Sequence, residues 1–396
     1  MGTGDDASTP SPGPAAAEAE RGPLAARSSG LLPSQEIRAL VAAGAIAGVE
    51  PVGEDQIQPA SLDLRLDAVA YRVRASFLPG SGATVLQRIN EFGMHRFDLG
   101  SGAVLEKGCV YIVPLMESLN LKGRLSGFAN PKSSTGRLDV FTRLIADHGT
   151  VFDQVPAGYH GPLYAEISPR TFSIVVRRGS RLSQLRLRRG AADSGDGLLK
   201  RLQREVRIVD AAEGAADIDQ GIAVTVDLAQ GIGNGIVGWR ARRHTGLIDL
   251  ALIDHYPVRD FWEPVRADTN GAVVLNPGDF YILASKEAVT VPPDHAAEMR
   301  AYDTRVGEFR VHYAGFFDPG FGFAATGGTG SRAVLEIRSF EVPFVLRDGQ
   351  LVGRLVYERM TETPDKLYGI GIGSSYQRQS LALAKQFRWP DLGLSP

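Results

Sequence analysis

Apolar and polar residues alternate with a period of two along much of the chain. In Leu163-Tyr-Ala-Glu-Ile-Ser168, Leu163, Ala165 and Ile167 point one way and Tyr164, Glu166 and Ser168 the other, the pattern of a half-buried β-strand. Ala333, Leu335 and Ile337 set against Glu336 repeat it. The pattern predicts strands over 111–115, 163–167, 172–176 and 182–187, separated by clusters of Gly, Pro and Asn. It places one short helix early in the chain, where Ile37, Leu40 and Val41 fall at helical spacing. Ser34 is its expected N-cap, Glu36 lies in its first turn and Gly44 stands at its end. Residues 1–30 hold almost no large apolar side chains. Burial there cannot offset the cost of ordering the chain, so the segment is expected to be disordered.

The strand pattern also repeats itself. AVLEKGCVYIVPLMES at 103–118 aligns with VVLNPGDFYILASKEA at 273–288, matching Leu105 with Leu275, Gly108 with Gly278, Tyr111 with Tyr281, Ile112 with Ile282 and Glu117 with Glu287. Glu166 and Glu336 keep the same offset (336 − 166 = 170), as do the turn glycines Gly179 and Gly349. More loosely, 61–74 resembles 225–242. A common offset over several segments points to a tandem duplication, with copy one at about 31–205 and copy two at about 206–396, each of single-domain size.

Composition narrows the class. A length of 396 residues suits two or three domains, and 46 glycines with 23 prolines favour a turn-rich β architecture over a helical one. The net charge of −2 provides no global basic field for nucleic acid, so any anion site must be local. A single cysteine, Cys109, excludes an intrachain disulfide framework and a Cys-rich zinc centre. The seven histidines form no H-E-x-x-H or H-x-E pattern, which argues against a catalytic transition metal. No apolar run reaches the ~18 residues of a membrane span. The acidic start at Asp5 and Asp6 does not read as a signal peptide, which makes the cytoplasm the expected compartment.

Three segments carry candidate chemistry. Asn130-Pro-Lys-Ser-Ser-Thr-Gly-Arg137 sets Lys132, Ser133, Ser134 and Arg137 around a glycine, the charge and donors a polyphosphate requires. Taken alone it reads more readily as a solvated turn. Glu166 and Glu336 sit opposite the apolar face of their strands, which by pattern alone makes them exposed side chains. His312-Tyr-Ala-Gly-Phe-Phe-Asp-Pro-Gly-Phe-Gly322 flanks Asp-Pro-Gly with aromatics and reads as a β-hairpin, structural or shaped to grip a planar base. Gly233-Asn-Gly-Ile-Val-Gly238 satisfies a dinucleotide-loop pattern, but no helical periodicity follows it.

In combination these segments resemble the dCTP deaminase branch of the dUTPase superfamily, from about residue 33 to 380. Ile57-Gln-Pro-Ala-Ser-Leu-Asp-Leu-Arg-Leu66 resembles its opening strand motif, and Lys132-Ser-Ser-Thr-Gly-Arg137 its phosphate and catalytic loop, with Lys in place of the first Arg. Ala314-Gly-Phe-Phe-Asp-Pro-Gly320 resembles its nucleoside hairpin, while Tyr376-Gln-Arg-Gln379 is similar to its C-terminal closing segment. The resemblance implies an all-β chain of two dUTPase-like distorted barrels with a few short helices. It implies zinc-independent hydrolysis of dCTP to dUTP and ammonia, with Mg2+ carried by the triphosphate and no nucleic-acid or membrane partner. Glu336 or Glu166 would be the general acid/base, aided by Ser133 and Arg137. Lys132, Ser134, Ala314, Gly315, Phe316, Asp318, Tyr376 and Gln379 would bind substrate. A dUTP diphosphatase, a bifunctional enzyme and an inactive β module are the alternatives.

Family sites form between neighbouring copies, and the two copies here differ in a complementary way. Copy two has Arg300-Ala-Tyr-Asp-Thr-Arg305 where the Ser-Ser loop would fall, and copy one lacks Asp-Pro-Gly in 145–156. The expectation is a composite site that joins the copy-one loop to the copy-two hairpin and Glu336, from one chain or from adjacent chains, in a homo-oligomer expected to be a trimer.

Overall fold

The computed structural model describes residues 28–191, 195–211, 216–300, 309–311, 315–326, 329–369 and 381–388; residues 1–27 of the segment expected to be disordered lie outside them. In the first half, one sheet runs Gly30–Leu31, Arg181–Arg189, Leu125–Pro131, Gln154–Val155, with Leu62–Arg65 also paired to Arg181–Arg189. A second runs Gly93–Asp98, Val69–Val73, Val110–Asn120, His160–Pro169, Val140–Ala146. The second half has one sheet ordered Ile222–Thr225, Leu351–Arg359, His295–Arg300, Phe316–Phe317. Its other sheet runs Trp262–Val265, Gly238–Ala241, Phe280–Val289, Ser331–Ser339, Phe309–Val311.

Corresponding strands occupy corresponding places, and the registers agree. Glu166 pairs with Ile112, and Glu336 with Ile282, each residue 170 beyond its counterpart (282 − 112 = 170). The side chains matched in sequence do matched work. Tyr111 accepts the Glu106 N–H at 3.0 Å and Tyr281 the Asn276 N–H at 3.0 Å. Glu117 accepts the backbone N–H of Arg65, and Glu287 that of Thr225, both at 2.8 Å. A carboxylate thus fastens an early strand of each half, buried at Glu117 and half-buried at Glu287.

The halves interlock. The first core, built on residues such as Leu62, Leu144 and Ile167, also takes in Trp239, Trp262, Phe280 and Phe387 of the second half. Phe172 lies 5.5 Å from Trp262 and 5.9 Å from Phe261 between ring centroids. Such pairs add about 0.5–1.5 kcal/mol each beyond the area they bury. Ile248–Asp249 runs parallel to Ile174–Val176 as a further strand on that edge.

Among the described residues, three longer helices accompany the sheets. The first, Ser34–Ala42, has Pro33 rather than Ser34 as its N-cap; Ser34 sits inside the first turn, with its hydroxyl bonded to Asp365. Val85–Phe92 is closed by a capping box, in which Thr84 accepts the Gln87 N–H at 3.2 Å and Gln87 the Thr84 N–H at 2.8 Å. Asp196–Glu205 packs Leu198, Leu199 and Leu202 into the second core. By packing, therefore, this helix goes with the second half, and the junction falls nearer 190–195 than 205. Among the described residues no helix is long and apolar enough to cross a membrane.

Candidate active site

The Lys-Ser-Ser loop is made by a strand that stops at Pro131. The chain then takes one helical turn, Ser133–Gly136, closed by Thr135 N–H and Gly136 N–H on the Lys132 carbonyl at 2.8 and 3.0 Å. Lys132 turns its ammonium onto Asp63 of the opening strand motif, at 2.5 Å from both carboxylate oxygens. Arg137 is buried and donates from Nη1 to the Ala382 carbonyl at 3.0 Å, joining the loop to the C-terminal segment.

Above this turn lies Glu336. Its strand is covered on both faces, so the carboxylate is buried rather than exposed as the alternating pattern predicts; Glu166 is buried too. The cover over Glu336 comes from the other half. A methyl group on Gly136 would stand 2.5 Å from Oε2 and 2.8 Å from Oε1 of Glu336, so only glycine leaves the carboxyl its place. Burial pushes the Glu336 pKa well above the ordinary carboxylate range; the Arg137 guanidinium pulls against that shift and Asp139 adds to it. Two residues on, Arg338 is ion-paired to Asp139 and bonds Thr171 at 2.9 Å, which ties the glutamate strand to the first half.

The Asp-Pro-Gly segment is not a hairpin of its own. Phe316–Phe317 pairs with Ala297 and Glu298, and the chain then turns, with Phe321 N–H bonded to the Asp318 carbonyl at 3.1 Å. Gly320 has φ +96°, and a Cβ there would lie 3.1 Å from the backbone N and O of Tyr368. Register shows what occupies the same place in the first half. Val155 pairs with Gly127 as Phe317 does with Ala297, so Pro156 stands where the second half has Asp318. The first half therefore keeps this ribbon and lacks its acid.

Ser133, Arg137, Gly315, Phe316, Asp318 and Glu336 line one pocket, together with Phe317, Phe321, Arg332 and Tyr368. The loop and the acid of this pocket come from opposite halves of a single chain. Lys132 lines it as well, whereas Ser134 opens onto a neighbouring cleft with Lys132, Arg181 and Lys385. Glu166 lies elsewhere, bonded by the Ser76 hydroxyl at 2.7 Å and raised in pKa by burial. Ala314, Tyr376 and Gln379 lie outside the described residues. Among the described residues no group of three or more His, Cys, Asp or Glu side chains is placed to hold a metal ion.

Sequence reasoning missed Arg332, Tyr368, Arg338 and Arg186. Arg186 reads as one more outward charge in Arg181-Leu-Ser-Gln-Leu-Arg-Leu-Arg-Arg189, yet it is among the most deeply buried side chains. The repeat held a signal: Val356 occupies the same place in the second half, so the fold does not require a cation there.

Known proteins place the chain. Residues 28–191 match the model of the 2'-deoxycytidine 5'-triphosphate deaminase N-terminal domain, and residues 195–387 that of its C-terminal domain. A crystal structure of 2'-deoxycytidine 5'-triphosphate deaminase from Agrobacterium tumefaciens is 55% identical, superposes with a TM-score of 0.81, and covers 86% of this chain and 100% of its own. The chain belongs to the dCTP deaminase family. Proteins named "dCTP deaminase, dUMP-forming" from Beutenbergia cavernae and Halobacterium salinarum are each 34% identical over 119 residues, 29% of this chain. The chain spans 58% and 56% of those two relatives' lengths. Membership agrees with the fold class and the family resemblance expected from the sequence.

Proposed function

We propose that the protein hydrolyses dCTP to dUTP and ammonia at the pocket between its halves. The observation that carries this reading is Glu336, a buried carboxyl with a raised pKa, packed on the loop that presents Ser133 and Arg137. A carboxyl held toward protonation gives a proton to cytosine N3, which makes C4 electrophilic. As water adds to C4, the resulting carboxylate takes the water's proton. It passes this proton to the amino group, the C4–N bond breaks with its electron pair leaving on ammonia, and the C4 hydroxyl proton returns to Glu336 as the carbonyl forms. Ser133 and Arg137 orient the water and stabilise developing charge. Mg2+ rides on the triphosphate, so activity is expected to require it and to survive removal of transition metals.

A second reading has one observation behind it. Asp318 supplies a carboxylate to the same pocket, and the curated relatives are named dUMP-forming, so the product dUTP could lose pyrophosphate there as well. The matched strand orders support tandem duplication as the origin of the halves. Incubating purified protein with dCTP and dUTP separately, and following ammonia and pyrophosphate, distinguishes the readings. Ammonia alone from dCTP supports the first, ammonia with pyrophosphate the second, and neither product removes both.

A further inference from the structure

Arg186 lies mid-strand in the first half, opposite Phe128, with 1% of its surface exposed. Among the described residues, the hydrogen-bond and ring partners of its guanidinium belong to the second half. Nη1 donates to the Ala297 carbonyl at 2.9 Å, and Nη2 to the Phe317 carbonyl at 3.0 Å and to Oδ1 of Asp318 at 3.1 Å. The Phe316 ring lies under the cation, 4.0 Å from Cζ to its centroid. Burying a guanidinium costs several kcal/mol that one ion pair rarely repays, so a position that needed only packing would favour an apolar side chain. The second half has that apolar choice, Val356, and at the place of Asp318 the first half has Pro156. The arginine and the aspartate occur together at the interface that holds the pocket, and both are missing from the positions related to them by the repeat.

We infer that Arg186 is a positioning residue, supplied by the half opposite Glu336, that fixes the Phe316–Asp318 ribbon and presents the Asp318 carboxylate to the bound nucleotide. Its planar fork holds two carbonyls and one carboxylate oxygen at once, which a lysine cannot do. This rests on the pocket being the dCTP site.

The test is a double-mutant cycle in the full chain, with Arg186→Met, Asp318→Asn and the double variant. KM, kcat and calorimetric Kd for dCTP are measured for each. Loss of a charged hydrogen bond predicts that Arg186→Met raises KM and Kd by about 10-fold or more while kcat changes less. The double variant then binds no worse than Asp318→Asn alone. KM and Kd within about threefold of the parent, or losses that multiply in the double variant, overturn the inference. If Arg186→Met does not fold, Arg186→Lys takes its place in the cycle, with Kd again expected to rise by about 10-fold or more because a lysine cannot hold both carbonyls and the carboxylate at once, and the same non-additivity required. A parent that binds dCTP without releasing ammonia would remove the deaminase reading, and the Kd cycle would still decide the role of Arg186.

Discussion

Glu166 and Glu336 occupy corresponding places in corresponding strands of the two halves, each with an isoleucine across the ladder, and both are buried carboxylates. They differ in what covers them. Over Glu166 the first half folds its own segment: Ser76 bonds the carboxylate, and Phe77, Val85 and Ile89 pack with Tyr164 on the same strand. In the second half the segment between Gly238–Ala241 and Trp262–Val265 turns away instead, placing Ile248, Val258 and Phe261 in the first half's core. The face of Glu336 is left to the Ser133–Gly136 turn of the first half and to a pocket. Two copies of one scaffold thus give an acid sealed by its own half and an acid shared between halves. The backbone places the carboxyl, and the neighbouring segment determines whether it faces a pocket.

The largest expected consequence concerns Gly136. A methyl group 2.5 Å from Oε2 of Glu336 must displace the turn or the carboxyl. A shift near 1 Å at reacting groups costs about 100-fold in rate. Gly136→Ala should lower kcat for ammonia release by that order, and a variant with parental kcat would show that turn and acid do not need this contact.

A smaller effect at Glu336 depends on pH. Because the pKa of Glu336 is raised in the fold, the stability associated with it is fully present below the ordinary carboxylate pKa and is lost as pH rises through the folded value. A tenfold difference in proton affinity between the folded and unfolded chain corresponds to about 1.4 kcal/mol. Glu336→Gln should therefore melt above the parent at alkaline pH and converge with it near pH 4. A variant less stable than the parent at high pH would contradict the burial argument.

The smallest effect lies at Ser76. Removing its hydroxyl leaves Glu166 short of one donor, so Ser76→Ala should cost about 0.5–1.5 kcal/mol in denaturant unfolding. Ammonia release should stay unchanged. A loss of turnover would mean that the first-half acid takes part.

Much of this is legible in the sequence because strands, turns and the repeat are local signals. Leu105 and Leu275, or Tyr111 and Tyr281, need no tertiary knowledge to be matched, and they mark equivalent positions in the fold. The pairing of the first-half loop with Glu336 also follows from sequence, because each half lacks what the other retains. Burial does not follow. Period-two alternation makes Glu166, Glu336 and Arg186 outward-facing; the packing of one half on the other buries Glu336 and Arg186, and the first half's own segment from Ser76 to Ile89 buries Glu166. The helix Val85–Phe92 escapes the pattern because its eight residues bury only Val85 and Ile89, too short a stripe for periodicity to register. The Asp-Pro-Gly segment reads as a hairpin because turn chemistry identifies a turn without identifying the strands that pair around it.

We propose that one chain makes its working site from the loop of the first half and the acid of the second. The most direct measurement is ammonia release from dCTP by Glu336→Gln and Glu166→Gln, each at saturating substrate and with parental folding verified. Loss of a general acid/base lowers the rate by at least ~100-fold, so Glu336→Gln should fall that far while Glu166→Gln stays near the parent. The reverse outcome, with Glu166→Gln inactive and Glu336→Gln near normal, would contradict the composite site and place the chemistry within the first half.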